Sequence, residues 1–241
     1  MEKYIFSCID YNDAVNFLLP RHYSGRIPSI SYAFGVFEKE TQRLVAVCTF
    51  GLPASPSLCS GIAGEEYKGN VLELNRLCRE DDYNGFLSQF VSWCLRQLSN
   101  KNVFVVSYSD MAMNHHGYIY QACNFLYTGA TTERTDIYSG TGKHSRHYSE
   151  EDKEAGLRLK RFSKHRYVYI CAKNKRTKKE MLSHLNYPVL SEYPKGDNYK
   201  DYILGQYLGN TIIDTKNNKV IKEETKVDCP TEYAQQTYLF F

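Results

Sequence analysis

Val103-Phe104-Val105-Val106 is a continuous β-branched and aromatic run. A strand of this kind has no polar face and suits the centre of a sheet covered on both sides. The flanking segments supply helices to cover it. Leu87, Phe90, Val91, Cys94, Leu95 and Leu98 fall at i, i+3, i+4, i+7, i+8 and i+11, one apolar stripe with Asn84-Gly85 at its start. After the run, Ile119, Ala122, Cys123 and Leu126 repeat at i, i+3, i+4 and i+7, and Gly129 is a good helix stop.

The rest of the chain extends this alternation. Residues 3–9 read as a short strand. Asp10 to Asp13 offer caps for a helix through Leu19, stopped by Pro20. Ser31–Phe37 and Arg43–Phe50 form a hairpin across the polar turn Glu38 to Gln42. The Gly-, Pro- and Ser-rich stretch from Gly51 to Asn70 reads as a long loop. Val71–Cys78 is a strand whose alternation puts Glu73 and Asn75 on one face and Leu72, Leu74 and Arg76 on the other. Thr135–Tyr138 and Tyr167–Ala172 are the final strands, and Lys178–Leu185 is a short helix. The result is an α/β fold with a mixed central sheet, crossover helices and no internal repeat. We divide the chain into a catalytic domain, 1–195, and a polar, Tyr-rich C-terminal extension, 196–241, of unassigned role.

At 241 residues the chain suits one decorated domain, and 21 Tyr against 7 Pro argues against disorder. No stretch reaches the ~18 apolar residues of a membrane span, and the start has no apolar signal-peptide core. The 8 cysteines form no C-x-x-C pair, and Cys48, Cys94, Cys123 and Cys171 lie in apolar runs. Buried thiols in a reducing cytoplasm are the expectation. The net charge of +3 is uneven: eight Lys/Arg (143, 146, 153, 158, 160, 161, 164 and 166) stand against four acids between Lys143 and Arg166. Such a block either binds phosphates or forms a solvated face.

In open α/β sheets functional groups gather at the carboxyl ends of strands. Asp110 lies close to one such end, as a ligand, an orienting carboxylate or a helix cap. Arg76 and Cys78 close the other candidate central strand. Tyr120 sits on the following helix, off its core stripe. Glu73, inside a strand, either faces a site or pairs with a base such as Arg26. His22, in a loop with Tyr23 and Arg26, suits acid/base work, metal ligation or a plain surface position. His115 and His116 are adjacent, so on an extended loop their side chains diverge, which is poor geometry for one metal.

The segments HYSGR (22–26), FGVFE (34–38), LELNRL (72–77), VSYSD (106–110), GYIYQACNF (117–125) and RYVYI (166–170) resemble, in order, the phage Mom family over residues 20–195. That family is similar in fold to the acyltransferases that bind acetyl coenzyme A, called the GNAT type. The resemblance implies two central parallel strands that splay apart to hold the donor's pantetheine arm. It implies Glu73 as a base and Tyr120 as the acid for the leaving group, with His22, Tyr23 and Asp110 completing the catalytic set. Leu77, Arg79, Gly85 and Tyr120 would border the cofactor. The activity implied is addition of a carbamoylmethyl group to adenine N6 in phage DNA, which blocks restriction. Iron held by His22 and Asp110 would help explain a linkage that simple acyl transfer does not make.

One departure stands out. The Gly-rich pyrophosphate loop of acyltransferases is replaced by REDDYNGFLS (79–88), whose Asp81 and Asp82 repel phosphate. The expected partner is duplex DNA with a flipped adenine, or single strands. Arg26, Lys143, Arg146, Arg158, Lys160, Arg161, Lys164 and Arg166 would hold its phosphates, and Tyr23, Tyr108 and Tyr118 would stack on the base. The alternatives are an acyltransferase acting on a small amine or a protein, and a non-catalytic DNA-binding protein on the same fold.

Overall fold

Backbone pairing sorts the strands into two sheets. A computed structural model describes residues 3–22, 27–80, 83, 85–111, 115–139, 148–154, 156–195 and 210–223. The chain runs β1 (Tyr4–Cys8), α1 (Tyr11–Leu18), β2 (Tyr32–Glu38), β3 (Leu44–Gly51), α2 (Pro56–Tyr67), β4 (Val71–Arg79), α3 (Leu87–Gln97) and β5 (Val103–Asp110). It continues through α4 (Tyr118–Ala122), β6 (Leu126–Ala130), β7 (Arg134–Ile137), α5 (Glu150–Glu154), β8 (Leu157–Arg161), β9 (Lys164–Cys171), α6 (Lys175–Ser183), β10 (Asn210–Asp214) and β11 (Lys219–Glu223). The main sheet has the order β1-β2-β3-β4-β5-β9-β6, and β11-β10-β8-β7 form the second. This is the expected α/β fold with a mixed central sheet and helices on both faces.

As the Val103–Val106 run requires, the main sheet is covered on both faces. On one, α1 packs Ala14, Phe17 and Leu18 against Ala33, Val47 and Cys78, while α2 and α6 bring Cys59, Ile62 and Met181 onto Val71, Phe104, Val106 and Val168. On the other, α3 and α4 bring Phe90, Val91, Cys94, Leu95, Tyr120 and Cys123 onto Leu72, Leu74, Val105 and Tyr167. We call these the α2 face and the α3 face.

Two features of β4 prepare the site. The one parallel pairing in the main sheet among the described residues, β4 with β5, joins just Val71, Leu72 and Glu73 to Phe104, Val105 and Val106. Beyond it Ser107 Oγ donates to the Leu74 carbonyl at 2.9 Å, so a side chain replaces the ladder where the strands part. The β3–β4 register also shifts at Thr49/Phe50. One residue is inserted into β4, leaving Leu74 and Leu77 in the same core. Asn75 ties down this bulge, accepting from Thr49 Oγ1 and donating to the Ser29 carbonyl, both at 2.7 Å.

β6–β9 and β7–β8 form one long, bent antiparallel ribbon. At the bend Thr131 N donates to the Lys164 carbonyl at 2.9 Å, and Lys164 N donates to Thr131 Oγ1 at 3.0 Å. Only Phe162 and Ser163 separate β8 from β9. β10, from the C-terminal extension, pairs with β8 over Ile212↔Leu159 to Asp214↔Leu157.

Local chemistry departs from the expected elements at two places. The segment expected to be a loop holds α2, because Ser55 Oγ accepts from Leu58 N and Pro56 begins the first turn. The expected helix to Gly129 stops at Ala122: Asn124 takes φ 58°, and Leu126 and Tyr127 pair with Val168 and Tyr167 as strand. Gly117, at φ 73°, precedes α4 and lies against Tyr167, whose ring a Cβ there would overlap. Gly117→Ala is therefore expected to destabilise the fold by about 1–3 kcal/mol through overpacking and left-handed strain, read as a lower urea midpoint.

Candidate active site

The bulge decides which side chains of β4 share a site. Simple alternation puts Arg76 with Leu72 and Leu74. The inserted residue instead turns Arg76 to the α2 face, beside Glu73, and the positive charge of Arg76 acts on Glu73 and on His22. Glu73 is half-buried, and burial raises its pKa while Arg76 and Lys164 pull it back. A carboxyl group whose pKa is raised in this way is better suited to taking up a proton than an exposed one.

β5 and β9 continue the row. The pairs Tyr108↔Arg166 and Asp110↔Lys164 share the face of Val106 and Val168. Burial, and then the Glu73 charge, push the Tyr108 phenol well above its usual range, so it remains a neutral hydroxyl. Arg166 is rigidly held. Its Nε donates to Thr128 Oγ1 and its Nη2 to the Thr128 carbonyl, each at 2.9 Å, and its guanidinium lies 3.3 Å from the centroid of the Tyr187 ring. Lys164 Nζ sits 3.1 Å from Asp110 Oδ2.

His22 follows α1 and is 7% exposed. Burial, and then Arg76, lower its pKa to about 3, so the imidazole is neutral. Its neighbour Arg21 is anchored by Glu80 at 2.9 Å, and Glu80 also binds Arg43 at 2.8 Å. His22, Glu73 and Asp110 thus share the α2 face around Arg76 and Lys164. Tyr120 does not: it is 2% exposed in the core of the α3 face, its ring 5.3 Å from those of Phe125 and Tyr167. Alternation along a short helix hid this, because the aromatic rings of β9 close over its polar-looking side.

The model of the Mom protein family matches residues 3–194. The chain belongs to the Mom protein family. Three solved structures are similar in outline. The ribosomal-protein-S5-alanine acetyltransferase from Vibrio fischeri is 10% identical, covering 72% of this chain and 96% of that one, with a TM-score of 0.43. The N-acetyltransferase from Staphylococcus aureus Mu50 is 11% identical, covering 70% and 97%, with a TM-score of 0.42. A Bacillus subtilis acetyltransferase in complex with CoA is 13% identical, covering 70% and 99%, with a TM-score of 0.38. No curated protein matches the chain.

This Mom protein can be tested against the groups its resemblance implies. Among the described residues no group of three or more His, Cys, Asp or Glu side chains is placed to hold a metal. His22 feels the Arg76 cation and Asp110 is engaged by Lys164, so the pair does not fit iron. For a coenzyme A donor, the unladdered edges of β4 and β5 fit an extended arm. The expected cofactor residues beyond them do not form a phosphate cradle. The Leu77 side chain is 0% exposed in the core, and Arg79 turns its Nη1 inward to the carbonyls of Glu80 and Tyr83. Gly85 takes φ 80° with open space around it.

Of the expected phosphate contacts, Arg26, Lys143 and Arg146 lie outside the described residues, as does Tyr23, expected in the catalytic set and as a stacking ring. Arg158, Lys160 and Arg161 line the outer ribbon. Arg158 donates to Thr135 Oγ1 at 2.7 Å, Lys160 pairs with Glu133 at 3.1 Å, and Arg161 pairs with Asp136 at 2.8 Å. Lys164 and Arg166 continue this line into the site. Sequence reading missed the shared face of Arg76 and the seat that Thr128 and Tyr187 make for Arg166. Carrying the period of two past Val106 would have found Tyr108 and Asp110 beside Glu73.

His115 is also buried, and desolvation lowers its pKa to about 4 against the opposing charge of Asp110. In the unfolded chain His22 and His115 take up protons near pH 6.5. In the folded protein they do so only near pH 3 and pH 4. Between these limits the unfolded state binds more protons, so stability falls as pH falls. Going from pH 7 to pH 5 is expected to cost about 2 kcal/mol per histidine, and His22→Gln to remove its share, measured by urea unfolding at both pH values.

Proposed function

We propose that this protein is a DNA-modifying transferase that adds a carbamoylmethyl-type group to adenine N6 and so shields phage DNA from restriction. The observation that carries this reading is Glu73: a carboxyl group with a raised pKa, at the point where β4 and β5 part, acted on by the charges of Arg76 and Lys164. Family membership supports the same reading, and an acyltransferase-type sheet is the expected frame for a transferase.

Adenine N6 is a weak nucleophile because its lone pair is delocalised into the ring, and in a duplex it is stacked out of reach. The enzyme must receive the base flipped out or single-stranded. Glu73 then takes the N6 proton as the new bond to nitrogen forms. The neutral hydroxyl of Tyr108 and neutral imidazole of His22 offer hydrogen bonds without adding charge. Arg166, Lys164 and the ribbon cations Arg158 and Lys160 engage the backbone phosphates without reading sequence. A donor with a pantetheine-like arm, extended along the open edges of β4 and β5, would carry the carbamoylmethyl group on a leaving group; N6 attacks its methylene carbon, and the leaving group departs with the electron pair of the broken bond. No helix of the described residues is long and apolar enough to cross a membrane. The proposed place of action is the host cytoplasm, where the DNA lies.

Nuclease digestion and mass spectrometry of DNA from expressing cells test the reading: a mass-shifted deoxyadenosine is expected. Unmodified DNA together with an acylated small amine or protein would replace it by ordinary acyl transfer. Glu73→Gln should lower modification by about 10²–10⁴-fold while DNA affinity stays within twofold, by filter binding. Arg158→Ala with Lys160→Ala should weaken DNA binding for all sequences alike and reduce the slope of log affinity against log salt by about 2.

A further inference from the structure

The two sides of the parting strands differ in charge. The α2 face carries Glu73, Arg76, Asp110, Lys164 and Arg166. The α3 face at the same level carries Ser107, Ser109, Tyr127 and His165, with Ser109 opposite His165 in the β5–β9 ladder. Burial lowers the His165 pKa, so this ring is neutral, and its Nδ1 lies 2.9 Å from the Tyr127 hydroxyl. The Tyr127 and His165 side chains beside Ser109 are thus polar but uncharged.

Ser109 is 1% exposed, and its Oγ has no hydrogen-bond partner among the described residues. Leaving a buried hydroxyl unsatisfied is costly, and such a group calls for an explanation. Ser107, two residues earlier on the same face, indicates the direction: its Oγ leans across to β4 and binds the Leu74 carbonyl. Ser109 repeats that position one step further on, where β4 has drawn away and no carbonyl meets it. Its cross-strand neighbour His165 is committed to Tyr127.

We infer that Ser109 is a donor-binding residue, whose hydroxyl donates a hydrogen bond to a neutral carbonyl oxygen, amide or thioester, of an acyl carrier lying between β4 and β5. This rests on the proposed place of the donor and adds to it a named contact and a ligand chemistry. An uncharged hydroxyl beside neutral His165 and Tyr127 suits a carbonyl. The charged α2 side is then left to the nucleic acid, so donor and acceptor approach the gap from opposite faces.

The test uses the full chain, acetyl-CoA as the probe and two readouts, equilibrium binding by calorimetry and thermal unfolding without ligand. Ser109→Ala should bind acetyl-CoA about tenfold more weakly, the loss of one hydrogen bond. Its unfolding temperature without ligand should be unchanged or higher, because an unsatisfied hydroxyl has been removed. Ser109→Thr, which keeps the hydroxyl, should bind closer to wild type than Ser109→Ala does. Unchanged affinity in Ser109→Ala overturns the inference and leaves the function untouched. A lowered unfolding temperature, or failure to fold, also overturns it, since the hydroxyl would then be structural. Failure of the wild-type chain to bind acetyl-CoA overturns the placement of the donor and this inference together.

Discussion

Three rungs of parallel pairing between β4 and β5 are the constraint on which the rest of the site depends. A longer ladder would seal the sheet and leave every residue beyond Glu73 facing a helix or solvent in the ordinary way. A shorter one would leave β4 held by β3 alone. After Val106 the backbone groups of the two strands lose each other, and Ser107 supplies the bond that one of them lacks. The gap this opens lies at the carboxyl end of both strands, where the chain also places its acids and cations.

The β4 bulge turns that gap into a charged site. By adding one residue opposite Thr49 it brings Glu73 and Arg76, three apart in sequence, to the same side. The charges there are interleaved. Glu73 feels Arg76 and Lys164, and Lys164 also holds Asp110. In a partly buried setting such charges interact more strongly than in water, and neutral His22 and Tyr108 fill the spaces between them. On the opposite side of the sheet Ser107, Ser109, Tyr127 and His165 carry no charge. The sheet therefore separates two chemistries by its own thickness.

The ribbon extends the charged side outward. β9 supplies Lys164 and Arg166 to the site, and β8, two residues away, supplies Arg158 and Lys160 to the outer sheet. The bend at Thr131 and Lys164 is closed by two hydrogen bonds, so this cationic line is part of the fold. The C-terminal strands β10 and β11 broaden its far end by pairing with β8.

Much of this was legible in the chain itself. Val103–Val106 demanded a covered central strand, and the stripe on α3 is carried by its own residues. His22 in a loop, Glu73 inside a strand and Asp110 near a strand end stood out as polar groups beside apolar elements. Local pattern could do this because helix and strand periods repeat within a few residues. What it could not see were departures from period: the extra residue in β4, the left-handed Asn124 that ends α4, and the Ser55-Pro56 start of α2. The first is set by a partner distant in sequence; the other two turn on single residues that a reading of periodicity passes over. Arg76 faces Glu73 because β3 imposes its register on β4, and Tyr120 is buried because β9 lays Tyr167 beside it. Sequence alone determined which residues carry the charge and which strands are central. Tertiary structure decided which side of the sheet each one faces, because a single shift in pairing reverses every side chain that follows it.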